Sequence, residues 1–332
     1  PNSDISSTMG KQFRLLSINE TEENWNDISI SPIFNMNDTI YSLTYFNDTI
    51  LLIGLEHSIN WFSIPDNRII KYINTSVVPL SIDVSNDSIL FCGSKSIMDS
   101  SEIPGVYEYN NDNHTFNVLV NRVPIFEEPR KKKRSRIILE DMNSTVLSSL
   151  TEDNSRPIYS CSSVKRRMDS DKIYFIERSA YPTASIELEK SEAISIPPAS
   201  FIWMYDKSKN SIELIGKNFT SISSLLLENE ESELNFSILL TESTRYNLLR
   251  IFPGNNSKTE ELYSNFQGMP LSIQKDNESN IWILLGRIRT STLDWLIGTK
   301  RLLKKIYLRL PKEYFNDIFI GHHSLIQLSS TG

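Results

Sequence analysis

The sequence predicts an all-β protein of the β-propeller class. Three observations point to this fold: apolar runs of strand length, polar turns between them, and one hairpin plan that recurs along the chain. Hydrophobic residues make up 39% of the 332 residues and charged residues 23%, which is typical of a folded soluble chain. We therefore predict a single propeller domain over residues 1–332.

The first element of the repeat is an inner hairpin. In each copy a Ser followed by Leu or Ile begins a short strand, and a polar turn then leads into a strongly apolar strand. The five copies begin at Ile40, Val78, Val146, Ile222 and Met269. Their Ser–apolar steps are Ser42-Leu43, Ser81-Ile82, Ser149-Leu150, Ser224-Leu225 and Ser272-Ile273.

The second element is another hairpin that follows the first. Such hairpins are predicted over residues 59–73, 105–120, 201–216 and 246–263. Two hairpins in succession make a four-stranded sheet, and repeated four-stranded sheets build a propeller. A large β-sandwich is the alternative all-β fold, but it would not predict the recurring Ser–apolar step.

One segment departs from the strand pattern. Over residues 292–310, Leu293, Leu296 and Leu303 share one helical face, and cations gather towards the end of the segment. We predict a helical insertion within residues 287–311. It either packs on the propeller rim with its cations near the negative end of the helix or lies on an anionic membrane surface.

The glycosylation sequon Asn-x-Ser/Thr indicates the compartment. Eleven copies occur, roughly twice the number that the composition gives by chance. They begin at Asn19, Asn37, Asn47, Asn74, Asn86, Asn113, Asn143, Asn218, Asn235, Asn255 and Asn277. We predict a glycosylated protein of the secretory pathway, placed outside the cell, on its surface or in the ER lumen. The alternative is that an Asn- and Ser-rich sequence contains sequons by accident.

Charge and hydrophobicity exclude two classes of protein. The net charge of −7 argues against nucleic acid as a partner, because phosphate neutralisation needs a basic face. No apolar run approaches the roughly 18 residues that a membrane-spanning helix needs.

A basic loop is predicted over residues 122–140, where the sequence reads PRKKKRSR from Pro129. In a secreted chain, this run suggests proteolytic cleavage after Arg134, and a plain solvated loop is the alternative. Cys92 and Cys161 bracket the loop, so a disulfide between them would hold the two halves together after a cut. Cys92 also lies in an apolar strand, where a buried free thiol is common.

The run from Tyr263 to Pro311 resembles the strictosidine synthase-like family, in the branch of adipocyte plasma membrane-associated protein and hemomucin. It reads FQGMPLSIQKDNESNIWILLGRIRTSTLDWLIGTKRLLKKIYLRLP from Phe266, and weaker similarity extends over about residues 35–330. The resemblance implies a six-bladed propeller with a central pocket, in the secretory pathway or tethered to a membrane through an N-terminal segment. The given chain reaches only SLIQLSSTG, so we expect the last blade to be incomplete.

The resemblance also locates a candidate site. Calcium-dependent hydrolases related to this family place Glu, Asn and Asp where the inner strands begin, since Ca²⁺ prefers several anionic oxygens. The corresponding positions here are Tyr41, Leu80, Ser148, Ser223 and Leu271. We therefore predict no metal, no cofactor and a pocket suited to a small hydrophobic ligand. The alternative for the pocket is a channel plugged by these side chains.

Catalysis is also disfavoured at other positions. The last-blade Glu of the strictosidine-forming enzyme has no counterpart in the given chain, and no GxSxG motif is present. None of the four histidines lies in a recognisable nucleophile elbow. We predict a protein without the family's catalysis that binds a partner protein or a small hydrophobic ligand. The alternative is a calcium-dependent arylesterase or lactonase.

Overall fold

The computed structural model describes residues 13–18, 30–36, 40–84, 88–94, 103–125, 154–168, 170–179, 199–232, 235–254, 258–276, 279–291, 294–295 and 324–328. Within these residues the regular structure is almost entirely β, with helical conformation only at Ser291, Asp294 and Trp295. No helix in the described part of the chain is long and apolar enough to cross a membrane.

Twenty-three strands are described, and most belong to sheets that we call blades 1 to 5. Before the blades come β1 (Phe13–Ile18) and β2 (Ile30–Met36). Blade 1 contains β3 (Ser42–Asn47), β4 (Ile50–Leu55), β5 (Ser58–Ser63) and β6 (Arg68–Asn74). Blade 2 contains β7 (Val78–Val84), β8 (Ser88–Ser94), β9 (Gly105–Asn110) and β10 (Thr115–Val120). A connecting pair follows, β11 (Arg122–Pro124) and β12 (Ser155–Pro157).

The remaining three blades follow in chain order. Blade 3 contains β13 (Cys161–Arg166), β14 (Lys172–Glu177), β15 (Ser200–Asp206) and β16 (Ser211–Phe219). Blade 4 contains β17 (Ile222–Glu228), β18 (Ser237–Glu242), β19 (Asn247–Phe252) and β20 (Lys258–Tyr263). Blade 5 contains β21 (Gly268–Lys275), β22 (Ile281–Ile288) and β23 (Ser324–Leu328). Each blade is an antiparallel meander whose strands pair in chain order.

The blades are arranged as in a β-propeller. The first strand of each blade contacts the first strand of the next, through the pairs β3 with β7, β7 with β13, β13 with β17 and β17 with β21. These four contacts place the first strands around a common axis. The predicted β-propeller with four-stranded blades is therefore correct.

The described strands give five blades, whereas the family resemblance implied a six-bladed type. Blade 5 has three described strands, and no comparably extensive contact joins β3 to β21 within the described residues. The strands β1 and β2 form a sheet of their own. The difference arises because blade number depends on how the chain ends meet, which a local repeat does not specify.

Burial explains why the second strand of each blade is so apolar. Strands β8 and β18 are buried along almost their whole length, because neighbouring blades cover both of their faces. The outermost strands β6, β10 and β20 are mostly exposed. A strand covered on both faces reads as a continuous apolar run, and an outer strand reads as a polar one.

Four apolar clusters fill the interfaces between consecutive blades. One packs blade 1 on blade 2 around Trp61 and Phe91, and a second packs blade 2 on blade 3 around Phe175 and Trp203. The other two join blade 3 to blade 4 and blade 4 to blade 5. Each large side chain buried in these layers contributes about 1.5–3 kcal/mol. The core is therefore a series of layers between sheets.

One sequence assignment needs correction, and two others lie mostly outside the described residues. The inner strand of blade 3 is β13, whereas the sequence placed it at the segment from Val146, which lies outside the described residues. The predicted insertion over residues 287–311 begins inside β22, and its part from residue 296 onward is outside the described residues. The predicted basic loop over residues 122–140 begins as strand β11, and its residues 126–140 are not described.

Candidate functional site at the axial end

The inner strands of blades 2 to 5 share a β-bulge. In each, the pairing with the second strand shifts register around one extra residue near the start of the inner strand. The four bulged residues are Leu80, Ser162, Ser223 and Leu271. A bulge re-aims one side chain without ending the strand. We call the end of the propeller where these residues lie the axial end.

Three of the five predicted pocket residues, Leu80, Ser223 and Leu271, are bulged residues at the axial end. Ser148 lies outside the described residues, and the register places Ser162 at the corresponding position of blade 3. The sequence missed Ser162 because Ser163 is followed by Val164, which fits an inner strand as well as Leu or Ile does.

In blade 1 the corresponding residue is Ser42, one position after the predicted Tyr41. Ser42 Oγ donates a hydrogen bond of 2.6 Å to the carbonyl oxygen of Pro79 in blade 2. Ser162 Oγ donates to the carbonyl oxygen of Ile222 at 3.2 Å, and Ser223 Oγ donates to that of Pro270 at 2.8 Å. Each of these hydroxyls thus bonds to the residue just before the corresponding position of the next blade.

The repeated serine next to the bulge makes a second contact between blades. Ser81 Oγ accepts a hydrogen bond from the Val164 backbone N–H at 3.3 Å. Ser163 Oγ accepts from Leu225 N–H, and Ser224 Oγ accepts from Ile273 N–H, both at 3.4 Å. An inner strand has no strand partner on its axial side, so its buried backbone groups need such side-chain partners. The recurring serines Ser81, Ser163 and Ser224 therefore link neighbouring blades through hydrogen bonds.

These contacts leave the axial end with alkyl and aromatic groups at its surface. Tyr41 and Leu271 are each 38% exposed, and Leu80 is partly buried. Burial and the nearby Glu56 carboxylate raise the pKa of the Tyr41 phenol above its usual value of 10.0, so the ring is neutral at physiological pH. The axial end can therefore contact a weakly polar ligand.

Sequence reasoning missed two buried glutamates at the same end, Glu177 and Glu242. They end β14 and β18 and pair with the residue before the bulge, Cys161 and Ile222 respectively. Gly93 has the matching register position in blade 2, opposite Pro79. A signal was available, because the apolar strands IYFIE and ILLTE finish on a charge. A carboxylate at the end of a buried strand needs a partner.

Glu177 is fully buried and has several donors. Both terminal nitrogens of Arg156 donate to its carboxylate, and Trp203 Nε1 donates at 3.2 Å. Burial raises the pKa of Glu177, and the hydrogen bonds and charge of Arg156 counter this only in part. The pair fastens the connecting strand β12 to blade 3.

Glu242 has a different environment. Its Oε1 accepts from the Thr220 backbone N–H at 2.7 Å, whereas its Oε2 is buried without a hydrogen-bond partner. Thr244 Oγ1, Tyr246 OH and Asn247 Oδ1 are likewise buried without a partner. Among the described residues, all side-chain atoms of this kind lie between the end of β18 and the start of β19, over residues 242–247. Such atoms are commonly satisfied by ordered water.

The two cysteines and the described sequons have definite places. Cys92 of blade 2 and Cys161 of blade 3 form a disulfide with Cα atoms 5.3 Å apart. The described sequon asparagines, all of them exposed, are Asn47, Asn74, Asn113, Asn218 and Asn235.

Other predicted site residues are not covered by the structure. The predicted cleavage position Arg134 and the other six acceptor asparagines lie outside the described residues. No group of three or more His, Cys, Asp or Glu side chains that could hold a metal occurs within the described ranges.

Comparison with known proteins gives structural neighbours only. No family model matches the chain, and no curated protein matches it. The structure is similar to one from a nidogen/laminin complex, with a TM-score of 0.49 and 10% identity over 81% of this chain and 80% of that one. A putative gluconolactonase has a TM-score of 0.48 and 9% identity, over 75% of this chain and 72% of that one. The calcium-binding protein regucalcin from Agrobacterium tumefaciens has a TM-score of 0.46 and 10% identity, over 74% of this chain and 67% of that one.

Those values describe a remote likeness, and the activities of the three proteins do not carry over to this chain. The resemblance to the strictosidine synthase-like family stays a prediction, because no sequence match supports it.

Proposed function

We propose that this protein is a binding protein of the secretory pathway, a propeller of the six-bladed type that holds a small, weakly polar ligand at its axial end. One observation carries the proposal. The axial hydroxyls of Ser42, Ser162 and Ser223 donate to backbone carbonyls, while Leu271 and Tyr41 are exposed beside them. Hydroxyls held in this way do not serve as nucleophiles, and the alkyl and aromatic groups favour an apolar ligand.

The disulfide and the sequons support the proposed compartment. Disulfides persist in oxidising compartments and are rare in the cytosol, and Cys92–Cys161 joins two blades of this chain. The described acceptor asparagines are exposed, as a glycan requires. Both features favour a glycosylated, secreted or lumenal protein, including one held at a membrane surface.

The proposal is tested by measuring binding and hydrolysis on the same material. N-phenyl-1-naphthylamine, a neutral fluorescent probe of apolar sites, should bind saturably to the purified protein. Leu271→Asp should weaken this binding at least about tenfold, because a carboxylate is costly against an apolar ligand. Leu262→Asp on β20 is the matched control, since Leu262 and Leu271 are both 38% exposed. The control should bind the probe like the parent.

An aryl ester supplied with calcium, and again with a chelator, tests the alternative function. We expect no turnover under either condition. Chelation-sensitive turnover would show a calcium-dependent hydrolase and contradict the proposal. If Leu271→Asp and Leu262→Asp bind the probe equally well, the probe does not bind at the axial end. Binding of a partner protein at the rim would then be the better proposal for the function.

A further inference from the structure

Two of the described sequons are exposed over all three of their residues. They are residues 47–49 and residues 113–115. The first spans the turn between β3 and β4, and the second lies where the turn after β9 enters β10. A sequon is recognised as a unit of three residues, an asparagine and the hydroxyl residue two positions later. Exposure of the asparagine alone therefore does not make the motif accessible.

Each of the other three described sequons contains a buried residue after its exposed asparagine. The buried residues are Thr75 after Asn74, Phe219 and Thr220 after Asn218, and Phe236 and Ser237 after Asn235. Thr220 is 0% exposed and its hydroxyl donates to Glu242 at 3.3 Å. Ser237 is 1% exposed and its hydroxyl donates to Glu228 at 2.9 Å. In these two motifs the required hydroxyl is inside the folded protein.

In the two exposed sequons the hydroxyl stays at the surface and bonds to its own asparagine. The backbone N–H and the hydroxyl of Thr49 both donate to Asn47 Oδ1 at 3.0 Å. The same groups of Thr115 donate to Asn113 Oδ1 at 3.2 Å and 2.5 Å. Both turns are Asx-turns, which use the side-chain oxygen. A glycan is attached to the side-chain nitrogen, so it leaves these bonds in place.

The two exposed sequons lie at the same end of the propeller. Strand β3 begins at the axial end and finishes at Asn47, so its turn into β4 lies at the opposite end, which we call the far end. Neighbouring strands of blade 2 alternate in direction, so β9 also runs away from the axial end and turns into β10 at the far end. Blades 1 and 2 are neighbours, since β3 contacts β7.

We propose that Asn47 and Asn113 are the principal glycosylation sites among the five described sequons. Their motifs remain accessible to the glycosylating enzyme after the blades have formed, whereas burial closes the motifs at Asn218 and Asn235 once the chain folds. The inference rests on the proposed compartment and names the surface that is modified there. Glycans at these two positions cover the far end of blades 1 and 2 and leave the axial end open to its ligand.

Site occupancy in protein secreted by cells tests the proposal. Removing the glycans with peptide N-glycosidase in heavy-oxygen water marks each occupied asparagine, and mass spectrometry of peptides measures the marked fraction. Asn47 and Asn113 should have the highest fractions of the five. A fraction at Asn218 or Asn235 that equals or exceeds theirs would overturn the inference. Glycans confined to other sequons would contradict this inference alone, and a chain without any glycan would count against the compartment as well.

Single substitutions give a second measurement. Asn47→Gln and Asn113→Gln should each remove one glycan from the mass of the secreted chain. Thr49→Ala should do the same while it keeps the asparagine, because it destroys the motif. Asn235→Gln is the matched control, since Asn235 is also exposed and also lies at the far end, in the turn between β17 and β18. It should leave the mass of most chains unchanged, and a loss as large as that of Asn47→Gln would reject the proposal.

Delaying the folding of the chain tests burial as the cause. Dithiothreitol added to the cells during synthesis prevents the Cys92–Cys161 disulfide and so prolongs the time for which buried motifs are accessible. In chains isolated from these cells, the occupancy of Asn218 and Asn235 should rise, and that of Asn47 and Asn113 should stay as it was. An unchanged pattern would show that burial does not decide which sequons are used, and would remove the basis of the proposal.

Discussion

Among single residues, the serine that recurs in each inner strand has the clearest energetic role. Ser163 is buried and accepts a hydrogen bond from the backbone N–H of Leu225 in the next blade. Ser163→Ala should lower the free energy of unfolding by about 1–2 kcal/mol, because a buried N–H loses its partner. Urea denaturation measures the change. Ser264→Ala, at an exposed serine, is the control and should change little; equal losses would show that the contact between blades contributes nothing.

Glu108 makes the free energy of unfolding depend on pH in the acid range. Burial alone would raise the pKa of Glu108, but hydrogen bonds from Lys207, Arg166 and Ser88 outweigh it and hold the pKa below 4.5. A carboxyl whose pKa is lower in the folded state stabilises the protein above its unfolded pKa, and the contribution is lost as pH falls through the folded value. The parent should therefore lose stability below pH 4.5.

The matching variant is Glu108→Gln, which cannot titrate at this position. It should be less stable than the parent at neutral pH, and the difference should shrink as the pH falls below 4.5. Urea midpoints of both proteins at neutral pH and near pH 3 measure this. Glu213→Gln on β16, outside this charge cluster, is the control. A difference in stability between the parent and Glu108→Gln that stays constant with pH would show that Glu108 is not the source of the acid sensitivity.

Among these residues, the sequence correctly indicated the positions at which the same side chain repeats. It failed where the pairing register of the strands decides which residue lies at the axial end. The Ser–apolar step was visible because Ser81, Ser163 and Ser224 make the same hydrogen bond to the next blade. The axial residue of blade 1 was placed at Tyr41 instead of Ser42, since blade 1 lacks the bulge that the other blades share. A bulge shifts the facing residue by one position and leaves no mark in the apolar pattern.

Among the elements, the connecting strand β12 is held to blade 3 by a buried ion pair. Arg156 of β12 donates through two nitrogens to Glu177, whose side chain is fully buried. Arg156→Met should cost about 3–5 kcal/mol, because it leaves a buried carboxylate without its cation. The free energy of unfolding measures the loss. Arg156→Met combined with Glu177→Gln should recover a large part of it, and a double variant as unstable as the single one would contradict this explanation.

Strand prediction worked best for the second and outer strands of each blade. Their sequences differ sharply in blades 1, 2 and 4, because the second strand is buried and water reaches the outermost strand. The inner strand of blade 3 was harder to find. Its sequence CSSVKR has few apolar residues, since Lys165 and Arg166 pair with Asp83 and Glu108 of blade 2. Here charge pairing between blades replaces the apolar pattern.

At the scale of the whole molecule, blade number could not be read from the repeat. Each blade is specified by its own hairpins and by contacts with its two neighbours, so a local pattern is the same for five blades or six. What the repeat does determine is the order in which the strands pair within each blade.

The disulfide should provide much of the global stability. Cys92 and Cys161 are 69 residues apart in sequence and join blade 2 to blade 3. Restricting the unfolded chain over a loop of this length is worth roughly 4 kcal/mol. Replacing both cysteines by serine should lower the free energy of unfolding by up to about this amount. No change on replacement, measured by urea denaturation, would mean that the two blades are held by their apolar layer alone.

The same bond makes a sharp prediction for proteolytic processing. Residues 126–153 lie between the two cysteines, and Arg134 is among them. On a denaturing gel, protein secreted by cells and cut after Arg134 should run as one species without reductant and as two fragments with it, because under those conditions only the Cys92–Cys161 disulfide holds the halves together. Arg134→Ala should abolish the fragments and leave the unreduced species unchanged. A single uncut chain in reduced secreted material would reject cleavage and leave the basic run as a solvated loop.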